Sequence, residues 1–214
     1  MTHSVSRDAV LDWVRQYAAV ITVNKDYLTE LDSAIGDADH GVNMDRGFQA
    51  ALTKLPGVLD KDIGTILKTV GMTLVSTVGG AGGPLYGTLF MQMGAATAGK
   101  LELTLADWAA ALEAGVNGVV MRGKANPGDK TMVDALTPAL ATLKQAASNG
   151  QPLADGLRQS AQAAEQGMKD TIPLVARKGR ASYLGERSAG HQDPGATSSH
   201  LLLKVAADTW SNAG

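Results

Sequence analysis

Apolar residues recur every three or four positions along most of the chain, which is the spacing of one face of an α-helix. In the first such segment, Trp13 and Tyr17 share a face, and Ser6 stands where the N-cap of a helix is expected. The stretch 73–78 taken alone would also fit a strand, but it continues a longer 3.6-residue period that favours a helix. The pattern predicts helical segments over about residues 10–21, 25–31, 43–55, 63–78, 85–98, 104–122, 131–148, 152–171 and 196–210.

Several of the predicted boundaries have local chemical signals. Thr104 with Asp107 resembles a capping box, and Pro56 should end the helix before it. Pro84 suits the first position of the helix that starts there, whereas Pro138 should kink or delay its helix. Because the segment 25–31 is short and no strand alternates with helices, we predict roughly eight helices in one all-α, bundle-like domain over residues 1–214.

The composition excludes several classes of function. A net charge of -2 and a pI near 6.1 argue against non-specific attraction to nucleic acid or to an anionic membrane. The absence of cysteine excludes disulfides, thiolate catalysis and zinc–cysteine sites. No apolar run is long enough to span a bilayer, and the chain begins without a secretion signal. We therefore expect a cytoplasmic protein without a membrane span and without a direct nucleic-acid partner.

Three carboxylates crowd into one glycine-containing turn, at Asp32, Asp37 and Asp39. Aspartate and glycine are ordinary turn residues, but three acids this close would repel one another without a cation, and oxygen ligands suit Mg²⁺. An EF-hand is excluded because the sixth and twelfth positions counted from Asp37 are Val42 and Phe48, where glycine and glutamate are required. The turn is therefore a candidate magnesium site.

Two further loops have the chemistry of phosphate binding. The glycines of 79–84 would let backbone N–H groups approach an anion at a helix N-terminus, although such a run also serves as a flexible connection. In the basic loop 177–195, Arg180 is the candidate phosphate ligand, since a guanidinium holds two oxygens in a fixed fork. The other basic residues there, Arg177, Lys178 and Arg187, are expected to be solvated surface. His40 is expected to bind a phosphate or a neighbouring carboxylate, and His191 has no assigned role.

An acidic turn, a glycine loop and an arginine loop are the recurring parts of phosphoryl-transfer sites, which depend on positioning and charge neutralisation. From the residues alone, we predict a nucleotide phosphate bound with magnesium. Because an arginine can neutralise the charge that develops on a transferring phosphoryl group, we predict that Arg180 is catalytic.

Four motifs together resemble one family, the nucleotide-binding L subunits of dihydroxyacetone kinase. They are Gly-Asp-Ala-Asp-His-Gly-x-Asn-Met at 36–44, Gly-Gly-Ala-Gly-Gly-Pro-Leu-Tyr-Gly at 79–87, Arg-Gly-Lys-Ala-Asn-Pro-Gly-Asp-Lys-Thr-Met at 122–132 and the Arg-Lys-Gly-Arg-Ala-Ser-Tyr segment that opens 177–196. The resemblance covers nearly the whole chain and implies an antiparallel barrel of eight helices, with ADP or ATP and two Mg²⁺ ions held by loops at one end.

The resemblance also implies roles for individual residues. Asp32, Asp37 and Asp39 match the metal ligands of the family. Gly82 stands where the family is expected to have a serine, so that a hydroxyl contact is missing. The implied nucleotide contacts are His40, Gly41, Val42, Asn43, Ala81, Gly82, Gly123, Met132, Arg180, Asp193, Pro194 and Gly195.

The expected partners follow from the same resemblance. The ketone would be held by a separate K subunit, and the bound ADP would be rephosphorylated in place by a phosphohistidine protein of the phosphotransferase system. Two alternatives stay open: a subunit that exchanges free ATP in a related ketose kinase, and a nucleotide-loaded binding module that signals to a transcription regulator.

Overall fold

The structure is a computed structural model that describes residues 4–211, and these residues are largely helical. No helix among them is both long and apolar enough to cross a membrane. The described elements are β1 (Ser4–Ser6), α1 (Arg7–Val23), α2 (Lys25–Ile35), α3 (His40–Lys54), α4 (Ile63–Thr77), α5 (Gly82–Ala96), β2 (Glu102–Thr104), α6 (Leu105–Gly123), α7 (Met132–Ser148), α8 (Leu153–Asp170) and α9 (Pro194–Trp210), with 3₁₀ turns at Leu55–Gly57 and Arg180–Ser188.

The predicted all-α class is confirmed, and so are two of the predicted caps. Ser6 Oγ accepts a hydrogen bond from the N–H of Ala9 at 3.2 Å, and Thr104 and Asp107 form a reciprocal capping box. The predicted start of α5 differs, because the helix begins at Gly82 rather than at Pro84. Proline is tolerated there because the first N–H groups of a helix need no partner within it.

The helices pack in a sequence that closes on itself. Each of α3 to α8 packs on the next helix along the chain, α1 packs on both α3 and α9, and α2 packs on α3 and α9. The short strands β1 and β2 pair antiparallel, with Ser4 opposite Thr104, and join the start of α1 to the start of α6. Neither strand was predicted, because three residues are too few to show an alternating pattern.

Aromatic rings fill the centre of the helical packing. Trp13 of α1 lies 5.3 Å from both Trp108 of α6 and Trp210 of α9, measured between ring centroids. Small residues bring α4 and α5 close together, since a Cβ built on Gly71 would lie 2.7 Å from the carbonyl oxygen of Gly87. The two helices therefore approach each other closely at this pair of glycines.

Candidate functional site

A cavity of about 490 Å³ lies where four helices begin. His40, Gly82, Met132 and Pro194, which are lining residues from the first turns of α3, α5, α7 and α9, face it together. The N-terminus of a helix has a partial positive charge that favours anions, and four such ends face this one cavity. The volume is in the usual range for small-molecule sites, roughly 300 to 1,000 Å³.

The acidic turn between α2 and α3 forms one wall of this cavity. Asp32, Asp37 and Asp39 each place a carboxylate oxygen within 4.8 Å of the others. The buried Asp32 is held by its Oδ2 atom, which accepts hydrogen bonds from the N–H of Asp39 at 2.8 Å and of His40 at 3.1 Å. The two other carboxylates are more exposed, so the cluster has a fixed base and an open side.

Backbone geometry allows the carboxylates to converge. A Cβ on Gly36 would lie 2.0 Å from Asp32 Oδ1, so only glycine leaves room for that oxygen. Ala38, between the other two aspartates, has a φ of 60°, which is a strained conformation for a residue other than glycine. Clustered hard oxygen donors fit Mg²⁺, so the chemistry of this donor set agrees with the predicted metal.

Arg180 lies directly beside this cluster. Its Nε forms an ion pair with Asp37 Oδ2 at 3.0 Å, while two thirds of its side chain stays exposed at the mouth of the cavity. Exposed ion pairs contribute little to stability, so this contact matters mainly because it places the guanidinium at the carboxylates.

The glycine loop between α4 and α5 also lines the cavity. Gly80 has a φ of 63°, which permits the tight turn, and α5 then begins at Gly82 without a side-chain cap in the described chain. The uncapped N–H groups therefore remain available to an anion. A Cβ on Gly82 would lie 3.3 Å from Val78 Cγ1, so a serine at this position would require a small shift of Val78.

A buried polar network fixes the His40 side chain. His40 Nε2 lies 2.9 Å from Ser198 Oγ, which also lies 2.7 Å from the Tyr86 hydroxyl, and that hydroxyl lies 3.0 Å from Ser199 Oγ. Ser198 Oγ donates to the carbonyl of Gly195 at 3.1 Å. With the Ser198 proton directed to Gly195, a proton on His40 Nε2 lets the histidine donate to Ser198 Oγ.

The pKa values of this network shift in the direction expected from its burial. Removal from water lowers the pKa of the His40 imidazole, and the nearby Asp32 and Asp39 carboxylates only partly oppose that change. Burial raises the pKa of the Tyr86 hydroxyl. Both side chains are therefore neutral hydrogen-bonding groups at neutral pH.

Lys130 was not singled out in the sequence, yet its side chain is almost fully buried at the edge of the cavity. Its Nζ donates to the carbonyl of Thr171 at 2.6 Å, to that of Ile172 at 3.3 Å, and to that of His191. Burial lowers the pKa of this ammonium, and the carboxylates of Asp193 and Asp134 oppose that change.

Asp193 is buried at the start of α9 and has two local functions there. Its carboxylate caps the helix by accepting from the N–H of Ala196 at 2.7 Å, and its own N–H donates to Thr171 Oγ1 at 3.0 Å. Burial raises the pKa of this carboxyl to about 7, although the hydrogen bond from Ala196 and the charge of Lys130 lower it.

The cavity brings together nearly all the residues that the sequence predicted, from segments far apart in the chain. Gly41 and Val42 do not line it: Gly41 packs against the carbonyl of Lys25, and the Val42 side chain is exposed. Lys178, expected to be solvated, is half-buried and lines the cavity. The lining includes Asp32, Asp37, Asp39, His40, Asn43, Ala81, Gly82, Gly123, Met132, Arg180, Asp193, Pro194 and Gly195.

Sequence reasoning missed Tyr86, Lys130 and Ser198. Tyr86 and Ser198 sit on apolar helix faces, where periodicity alone predicts only burial. For Lys130 the sequence has one signal. In Asn-Pro-Gly-Asp-Lys-Thr, this charged residue stands between a turn and a helix cap.

Comparisons with known proteins agree with this geometry. The family model of the DAK2 domain matches residues 34–208. The chain is 48% identical to the PEP-dependent dihydroxyacetone kinase, ADP-binding subunit DhaL of Escherichia coli (strain K12), over 95% of this chain and 97% of that protein. It is 40% identical to the PTS-dependent dihydroxyacetone kinase, ADP-binding subunit DhaL of Lactococcus lactis, over 92% of this chain and 95% of that protein.

Solved structures of the dihydroxyacetone kinase of C. freundii have the same fold. The native form gives a TM-score of 0.71 at 25% identity, over 93% of this chain and 34% of that one. A complex of the same kinase with AMP-PNP and Mg²⁺ gives a TM-score of 0.69 at 24% identity, over 93% of this chain and 33% of that one. The chain thus spans about a third of the length of these kinases. On the family match and the two relatives, this chain belongs to the DAK2-domain family, in the group of ADP-binding L subunits of dihydroxyacetone kinase.

Proposed function

We propose that this chain is the ADP- and Mg²⁺-binding subunit of a dihydroxyacetone kinase, and that its bound nucleotide passes a phosphoryl group to dihydroxyacetone on a separate K subunit. The observation that carries the proposal is the meeting of four helix N-termini, three carboxylates and Arg180 at one cavity. Helix N-termini bind the phosphate oxygens, and the carboxylates hold the cations that neutralise the phosphate charge.

The proposed metal ligands are Asp32, Asp37 and Asp39, which would hold two Mg²⁺ ions. When bound, these ions neutralise charge on the phosphates and orient them for transfer. Asp32 would be the fixed ligand because two backbone N–H groups already orient its carboxylate. Arg180, at 3.0 Å from Asp37, stands where it can neutralise charge that develops on the transferring group.

We propose that the nucleotide contacts come from all four helix starts. Backbone N–H groups of the glycine loop would bind phosphate oxygens, and Tyr86 with Ser198 would hold the His40 ring toward them. The proposed contact residues are His40, Gly41, Val42, Asn43, Ala81, Gly82, Gly123, Met132, Arg180, Asp193, Pro194 and Gly195 in one domain over residues 1–214. Gly41 and Val42 would act through their backbone in the first turn of α3, since their side chains face elsewhere.

The proposed partners are the K subunit and a phosphohistidine protein of the phosphotransferase system, which would rephosphorylate ADP in place. The names of the relatives, PEP-dependent and PTS-dependent, support this donor rather than free ATP. We place the reaction in the cytoplasm, in agreement with a chain that has no cysteine. A transcription regulator is a third partner to be tested.

Mass spectrometry of the denatured purified protein tests the proposal, and we expect one ADP per chain. Addition of a K subunit and the phosphotransferase proteins should then phosphorylate dihydroxyacetone, whereas labelled free ATP should exchange slowly with the bound nucleotide. Rapid exchange with turnover on ATP alone would move the chain to the ATP-dependent kinases. Stoichiometric ADP without any turnover would favour the signalling module.

A further inference from the structure

The connection from α8 to α9 carries Arg180 to the cavity, and its two ends meet at one buried side chain. Thr171 and Ile172 begin the connection and His191 lies near its end, 19 residues after Ile172. The carbonyl groups of all three accept hydrogen bonds from Lys130 Nζ. One ammonium therefore binds both ends of the segment that holds the proposed catalytic arginine.

The Lys130 site is built for a cation. A lysine ammonium has three N–H donors, and here each of the three has a carbonyl acceptor. Two of these carbonyls follow the last turn of α8, where the helix has its negative end. The Lys130 side chain is only 1% exposed, and a buried charge of this kind is costly unless it is fully compensated. Removal of the ammonium would leave the buried carbonyl of Thr171 and the partly buried carbonyls of Ile172 and His191 without this donor.

The backbone around Lys130 supports the same interpretation. Lys130 has a φ of 63°, an uncommon conformation for a residue with a side chain, and it directly precedes the helix cap at Thr131. The preceding carbonyl, of Asp129, accepts from the N–H of Arg177 at 3.1 Å within the same connection. The ends are closed further by the N–H of Gly190, which donates to the Ile172 carbonyl at 2.7 Å.

We propose that Lys130 is a positioning residue whose ammonium clamps both ends of the connection from α8 to α9 and so sets the location of Arg180 beside Asp37. Lys130 acts through Arg180 and makes no contact with the reacting groups in this mechanism. The effect on phosphoryl transfer rests on the proposed function, whereas the clamp itself does not.

The clamp is tested by hydrogen–deuterium exchange on the full chain, without any enzymatic assay. In Lys130→Met, which keeps most of the length of the apolar stem but loses the ammonium, amides of residues 172–192 should exchange at least about tenfold faster. Exchange in the core helices should stay unchanged. Lys144→Met, at an exposed lysine of α7, is the matched control and should leave the connection protected. Unchanged exchange at 172–192 in Lys130→Met would overturn the proposal.

Chemical rescue tests whether the cation itself is needed. Lys130→Ala removes a propylammonium equivalent, so added n-propylammonium should restore most of the protection, and n-propanol should not. Equal rescue by both would show that only volume is needed and would overturn the proposal.

The wild-type chain provides a further test, which does not depend on whether the variants fold. In its NMR spectrum, the Lys130 ammonium should give a ¹⁵N signal whose protons exchange slowly with water. Exchange as fast as that of a solvent-exposed lysine would contradict the clamp.

A double-mutant cycle tests the action through Arg180 in the reconstituted kinase. Lys130→Met should lower kcat much more than it raises KM. In a chain that already has Arg180→Ala, the same substitution should lower kcat little further. Losses that multiply in the double variant would overturn the positioning role. A wild-type complex with no kinase activity would instead count against the proposed function, and the exchange measurements would remain valid.

Discussion

At the residue scale, the acidic turn is prepared for a cation before any cation binds. Asp32 Oδ2 is fixed by two N–H groups, and Gly36 leaves space for Oδ1. The carboxylates at Asp37 and Asp39 are more exposed and complete the cluster on its open side. Mutual repulsion among the three is relieved by a positive charge, which Arg180 supplies to Asp37.

Asp37→Asn should therefore weaken ADP binding in the presence of Mg²⁺ by about tenfold or more, because one anionic ligand is lost. Isothermal titration calorimetry with ADP and excess Mg²⁺ measures the effect. Asp155→Asn, in a surface ion pair on α8, is the control and should bind normally. Full affinity in Asp37→Asn would remove this carboxylate from the metal site.

Arg180→Ala should lower kcat of the reconstituted kinase far more than it lowers ADP occupancy. Arginines that neutralise charge in phosphoryl transfer contribute roughly 10³ to 10⁵ in rate. Arg180→Lys should recover only part of the loss, because the guanidinium fork is gone. Steady-state kinetics beside ADP quantification separates the outcomes. A loss of nucleotide in proportion to activity would make Arg180 a binding residue instead.

The residues that sequence reasoning identified and those that it missed differ in one physical respect. The acidic turn and the glycine loop have their chemistry within a few adjacent positions, so that it is visible in the sequence. The contacts of Lys130 reach carbonyls 41 and 61 residues away, and the His40 ring meets Ser198, which is 158 residues away. Such pairs are created by the fold, and no local pattern predicts them.

At the scale of elements, the start of α5 depends on glycine at a single turn. Gly80→Ala should destabilise the chain by about 1 to 2 kcal/mol, because a residue with a Cβ is strained at the φ of 63° found there. Urea unfolding measures this cost. The affinity for ADP should also fall, because the backbone N–H groups of the glycine loop would shift. Gly57→Ala, where a Cβ meets no atom within 4 Å, is the control. Equal stability of both variants would contradict the strained turn.

Helices were predictable because their caps are local, whereas their order of packing was not. The capping box of Thr104 and Asp107 uses side chains three residues apart, which the sequence shows directly. The pairing of β1 with β2 joins positions about a hundred residues apart over only three residues each. The ring of packed helices likewise depends on α1 meeting α9 at opposite ends of the chain.

At the scale of the whole molecule, the buried Asp193 makes stability depend on pH. Its folded pKa of about 7 lies above the unfolded value near 3.8, so the folded state binds an extra proton between these values. The stabilisation that the protonated Asp193 gives to the folded state is therefore fully present below about pH 4. It is lost as the pH rises to about 7. Asp193→Asn removes this dependence.

The measurement is the difference in the free energy of unfolding between wild type and Asp193→Asn across that window. As the pH rises, the free energy of unfolding of the wild type should fall by up to about 4 kcal/mol relative to that of the variant. Above about pH 7 the difference should stay level. Comparison with the variant removes the opposite contributions of His40 and His200, whose pKa values are lowered by burial. A difference that does not change with pH would show that the pKa of Asp193 is the same in the folded and unfolded states.

The central aromatic cluster has a consequence for spectroscopy. All three tryptophans of the chain, Trp13, Trp108 and Trp210, lie within 5.3 Å of one another by ring centroid, and none of them lines the cavity. Excitation energy will pass among the three indoles, so emission reports a single buried site. Intrinsic fluorescence and near-ultraviolet circular dichroism will therefore report whether the ring of packed helices is intact, with or without nucleotide. A binding assay needs a separate fluorophore at the mouth of the cavity.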